Sequence, residues 1–92
     1  MGYREIHWTE RSEDHIARHG ITPKEVEQAL FTRPRFEAPG RDESTLIYGT
    51  TDAGRYVLIV AVDSTVEPDA WYIATTRDMT ASKKRPFIQK AR

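Results

Sequence analysis

The stretch TLIYGTTDAGRYVLIVAV, Thr45 to Val62, decides the fold. Two β-rich runs flank Asp52, Ala53 and Gly54, and a glycine at the end of such a turn supplies the positive φ that a tight hairpin needs. Tyr56 to Val62 is almost entirely apolar. A strand of that kind lacks a solvent face, so it is expected at the centre of a sheet with both faces covered. Downstream, DSTVEPD (Asp63–Asp69) turns the chain and AWYIATTR (Ala70–Arg77) supplies another strand. Upstream, TRPRFEAPGRDES (Thr32–Ser44) holds two prolines and a glycine. Proline cannot donate to a ladder, so this segment is expected to be mobile or to lie at an edge.

Further towards the N-terminus the pattern changes from strand to helix. Tyr3 to Trp8 alternates, which predicts a first short strand. In DHIARHGITPKEVEQAL, Asp14–Leu30, one helix is expected to stop at Gly20 and a second to start on Thr22, with Pro23 at its first position and Glu25 as the capping-box acid. Val26, Ala29 and Leu30 give the second helix its apolar stripe. The two form a helical hairpin with His19 at its corner. Thr80 opens a last helix, but Pro86 would cost about 3 kcal/mol inside one, so a brief or broken helix is expected. The order is strand, helix, helix, three strands, short helix. This predicts an α+β domain with a mainly antiparallel sheet over residues 1–92.

Composition narrows the function. At 92 residues there is room for one core, and 38% hydrophobic content is too high for intrinsic disorder. No apolar run approaches the ~20 residues of a membrane span, and MGYREIHWTE lacks a signal-peptide core, so a cytoplasmic protein with no membrane contact is expected. The absence of cysteine removes disulfides, thiolate zinc sites and cysteine nucleophiles together. The formal net charge is zero but unevenly spread: residues 76–92 hold six Lys/Arg against Asp78 alone. That asymmetry points to an acidic partner for the C-terminal end, or to a basic tail that is simply solvated.

Walker, dinucleotide-binding, HExxH and GxSxG motifs are all absent. His15 and His19, four apart, have the spacing of a metal clasp but no third ligand in view. His19 at a helix end has two readings, as a proton carrier at the mouth of a groove or as a cap on the last carbonyls. Arg55 and Arg77 stand at the ends of neighbouring expected strands. They either converge on one phosphate or remain solvated strand-end residues. The aromatics Trp8, Tyr48, Tyr56, Trp71 and Tyr72 either stack on bases or fill the core.

HIARHGITPKEVEQAL, YGTTDAGRYVLIVAV and YIATTRDMTASKKRPF together resemble the BrnT-like toxins of bacterial type II toxin–antitoxin systems, within the RelE/ParE superfamily. The similarity covers roughly residues 5 to 88 and rests on the order and spacing of three elements: a [KR]HG corner, an arginine after a glycine turn, and an arginine leading into a basic last helix. Thr75-Thr76-Arg77 replaces the family's S-A-R. Ser82, Lys83 and Pro86 stand in the stretch where the last helix of the family carries an acidic residue. The resemblance implies a curved antiparallel sheet with two helices on one face, and a cognate, DNA-binding antitoxin that neutralises the toxin. It also implies ribonuclease activity without metal or cofactor, by attack of a ribose 2′-hydroxyl on the adjacent phosphate of mRNA. On that basis His19 is the proton-transfer candidate, Arg55 and Arg77 stabilise charge on the phosphate, and Arg18, Lys83, Lys84 and Arg85 bind RNA. The rival implied by the same superfamily is a non-catalytic binding module that acts on a protein target or only with its antitoxin. The discriminating geometry is whether His19, Arg55 and Arg77 share one concave surface.

Overall fold

The computed structural model describes residues 5–67 and 69–90. Its elements in chain order are β1 (Glu5–Ile6), α1 (Glu10–Ala17), α2 (Pro23–Phe31), β2 (Phe36–Pro39), β3 (Thr45–Thr50), β4 (Tyr56–Asp63), β5 (Ala70–Asp78) and α3 (Ala81–Lys90). The five strands form one mixed sheet in the order β1-β5-β4-β3-β2. All pairs are antiparallel except β1 with β5, which is parallel. The fold is thus α+β, and β4 is its central strand as the apolar run requires.

The helical hairpin forms where its capping residues stand. Thr9 caps α1 through a reciprocal pair of hydrogen bonds with Ser12, and Thr22 caps α2 in the same way with Glu25. Gly20 takes φ 70°, which lets the Ile21 N–H reach back to the Ile16 carbonyl at 3.1 Å and swings buried Ile21 into the core. Ile16, Val26, Ala29 and Leu30 then pack on Ile47, Val57, Ile59, Ala61, Trp71 and Ile73, with Ile6 and Trp8 against the margin. Each fully buried aliphatic side chain there contributes about 1.5–3 kcal/mol. α2 lies against the sheet at Gly49, where an added Cβ would stand 2.7 Å from the Ala29 carbonyl oxygen.

Side chains alternate across a strand, so the residues between those core positions face the other way. On that second face Phe87 of α3 meets the rings of Phe36 and Tyr56 edge-on, at 5.4 and 5.7 Å. The sheet is therefore covered on both sides, by the hairpin on one and by α3 on the other.

Three expectations are corrected. Of the two alternatives for Thr32–Ser44 the edge placement holds, but the segment forms a strand that the expected order lacked: β2 pairs with β3 from Phe36↔Tyr48 to Pro39↔Thr45. Edge strands tolerate proline, because an outward position needs no donor. The last helix is neither brief nor broken: α3 runs ten residues through Pro86. The ring there removes only the bond to the Ser82 carbonyl, which lies in the exposed first turn, and buried Phe87 holds the helix down. Among the described residues the first strand is Glu5–Ile6 and stops short of the expected Trp8, extended by a bond from the His7 N–H to the Trp71 carbonyl at 2.8 Å. Tyr3 and Arg4 lie outside the described residues, as does Arg92 of the basic tail.

Candidate functional site

The hairpin corner, the β3–β4 turn and the end of β5 meet at one end of the sheet. Gly54 closes the turn at φ 87° and delivers Arg55 beneath the corner. The guanidinium donates from Nε to Asp78 Oδ1 at 2.6 Å and from Nη2 to Asp78 Oδ2 at 3.1 Å. It also donates from Nη1 to the Gly20 carbonyl at 2.8 Å and from Nη2 to the His19 carbonyl at 3.1 Å. Glu25 Oε2 stands 3.5 Å from Nη1. A guanidinium has five N–H donors, and here each has an acceptor in reach. Arg55, rather than the His19 imidazole, holds the carbonyls of the hairpin corner.

Electrostatics follow that geometry. The hydrogen bond from Arg55 holds the Asp78 carboxyl below its ordinary range, against the cost of partial burial, with Lys84 and His19 adding attraction. Asp78 in turn raises Arg55 above its already high value. The Lys84 ammonium lies 5.1 Å from the centre of the Tyr56 ring, a cation–π contact.

Of the three residues expected to share a surface, His19 and Arg55 come together and Arg77 does not. In the β4–β5 register Val57 lies opposite Asp78, and Leu58 opposite Arg77. Val57 belongs to the core under the hairpin, so Asp78 faces the hairpin and exposed Arg77 emerges on the α3 side. Lys83, Lys84 and Arg85 are exposed on α3, while Arg18 is exposed at the C-cap of α1. Asp78 was missed as a site residue, although it follows Arg77 directly. Only the register of β5 against β4, shifted by a bulge at Val60/Ala61, reveals which of the two faces the corner.

On the α3 side a groove of about 260 Å³ runs between the edge of the sheet and the helix, lined in part by Phe36, Tyr48, Lys83, Phe87 and Lys90. A second hollow, near β1, holds His7, whose Nδ1 shares a 3.0 Å hydrogen bond with Ser64 Oγ. That oxygen also accepts the Val66 and Glu67 N–H groups, which occupies its lone pairs and makes Ser64 a turn-forming residue rather than a nucleophile. Among the described residues no group of three or more His, Asp or Glu is placed to hold a metal ion, and no helix is long and apolar enough to cross a membrane.

Comparison with protein-family models, curated proteins and solved structures returned no match to this chain.

Proposed function

We propose that the chain is the toxin component of a type II toxin–antitoxin pair, with the RelE/ParE-like topology, and that it works in the cytoplasm as a module that binds RNA on its α3 face. One observation carries the reading: α3 presents Lys83, Lys84, Arg85 and Lys90 with no acidic residue, on the sheet face from which Arg77 also emerges. Cations interleaved with aromatic rings suit single-stranded RNA, whose phosphates and bases they engage respectively. The order strand, helical hairpin, antiparallel strands and basic last helix agrees with the topology that the resemblance implies. The cognate antitoxin would be the protein partner.

Scission is the second reading, favoured by the way Arg55 ties the corner that carries His19 to Asp78 at the end of β5. In that mechanism His19 takes the proton of the 2′-hydroxyl as its oxygen attacks phosphorus. The bond from phosphorus to the 5′-oxygen breaks, the leaving oxygen takes a proton from water, and a 2′,3′-cyclic phosphate remains. Arg55 enters only by holding the corner that carries His19, because its donors are already engaged. Arg77, across the sheet from His19, cannot share a phosphate with Arg55 in this arrangement.

Binding and cleavage separate in one experiment. Labelled single-stranded RNA is mixed with the protein in EDTA, and both anisotropy and cyclic-phosphate ends are followed. The binding reading expects tight association, at least tenfold weaker in Lys83→Ala/Lys84→Ala, with no new ends. Cyclic-phosphate ends that vanish in His19→Ala would replace it with scission. No association at all would leave a protein target as the reading.

A further inference from the structure

The groove beside α3 has a composition that general affinity for phosphate does not need. Phe36, Ala38, Tyr48, Pro86 and Phe87 supply apolar walls, and Lys83 and Lys90 stand on the helix that forms one side. Lys83 and Lys90 are seven residues apart, which at 1.5 Å per residue places them about 10.5 Å apart along the helix. They bracket the groove and do not converge on one anion. Glu37, the acidic residue of the lining, is neutralised by Arg35 at 2.6 Å. Lys90 rests over the Phe36 ring, its ammonium 5.8 Å from the ring centre. A flat, uncharged group that slid along that ring would displace the ammonium outwards, to where a flanking phosphate would lie.

We propose that this groove is a nucleobase subsite, which takes one unstacked base of a single-stranded RNA between the β2 edge and α3 while Lys83 and Lys90 hold the phosphates on either side. The proposal rests on the RNA-binding reading above and adds base selectivity to it. Charge chooses the occupant: a neutral apolar segment would leave the two bracketing lysines without partners, whereas one nucleotide unit supplies a flat ring between two anions. An added peptide strand suits the edge poorly, because β2 is four residues long and Pro39 lacks an N–H.

The test uses short single-stranded RNAs that carry one 2-aminopurine, whose fluorescence is quenched by stacking, together with anisotropy for total binding. Wild-type protein is expected to quench the probe and to prefer one base over another by at least fivefold. Ser82→Trp fills the groove from an exposed helix position that leaves the core alone, and Tyr48→Leu removes one wall. Both are expected to abolish quenching and preference while keeping most of the affinity. Circular dichroism confirms that each variant is folded. Lys83→Ala and Lys90→Ala are expected to weaken all sequences alike. Unchanged quenching in folded Ser82→Trp overturns the subsite and leaves RNA binding standing, whereas the absence of any RNA binding overturns both. A Glu- and Phe-rich peptide that outcompetes RNA in wild type and fails to bind Ser82→Trp would make the groove a protein-docking site and also overturns the proposal.

Discussion

Arg55 shows how one side chain can look like a phosphate ligand in the sequence and act as a brace in the fold. Its position after a glycine turn, near the end of a neighbouring strand, suits anion binding, yet its donors close on Asp78 and on the His19 and Gly20 carbonyls of the hairpin corner. The Asp78 side chain is 58% exposed and that of Arg55 30%, so the ion pair itself contributes within the ordinary surface range, about 0.2–1 kcal/mol. Arg55→Ala is expected to cost more than Asp78→Asn, about 1–2 kcal/mol, because the carbonyl bonds go as well. Arg55→Lys should recover little, since one ammonium cannot serve three acceptors in a fork. Urea denaturation of the single and double variants in low salt measures the coupling. The folded carboxyl of Asp78 lies below its unfolded value, so its contribution is complete above about pH 4 and disappears as pH falls through the folded value. The stability gap between wild type and Asp78→Asn should therefore close on acidification. A gap that widened in acid would refute the pairing.

At the scale of elements, the tight contact of α2 with β3 at Gly49 sets a strict demand. Gly49 carries no side chain because the Ala29 backbone occupies that space: a Cβ would lie 2.7 Å from the carbonyl oxygen and 3.2 Å from the Ala29 Cβ. Gly49→Ala should force α2 away from β3 and cost about 1–3 kcal/mol. It would appear as a lower urea midpoint at unchanged slope. Adding Ala29→Gly should not restore stability, because the shorter contact is to backbone. A fully stable Gly49→Ala would mean that the hairpin sits higher on the sheet. The capped α2 and the β3–β4 hairpin were legible in the sequence because their signals are local: Thr22, Pro23, Glu25 and Gly54 act on their own neighbours. The prolines of Thr32–Ser44 marked an edge place but not the pairing of β2 with β3, and α3 was misjudged because proline rules describe average positions, whereas a docked Phe87 beside Pro86 is a tertiary fact. The partition of Arg77 and Asp78 between faces was illegible for the same reason, since a bulge near the middle of a strand reverses every parity beyond it.

For the whole molecule, charge distribution matters more than net charge. The chain holds 14 Lys+Arg and 14 Asp+Glu. Four of those cations, with no acid, lie in α3, so the remainder carries ten cations against fourteen acids, a net of −4 set against +4. A field of that shape attracts a polyanion to one side of the molecule and repels it from the rest, which fixes orientation before any base is read. Counterion release then sets the salt response. Single strands lose about 0.7 logarithmic units of affinity per unit of log salt for each phosphate neutralised, so four contacts on α3 give a slope of about −2.8 at most. Anisotropy titrations from low to physiological salt should find a slope between about −2 and −2.8 for wild type, and each single Lys→Ala on α3 should reduce it by about 0.7. Arg18→Ala, at the hairpin corner on the opposite side of the sheet, should leave the slope unchanged. A wild-type slope near zero, or an Arg18→Ala effect as large as that of Lys84→Ala, would move the RNA off α3 and return the corner around His19 to the centre of the problem.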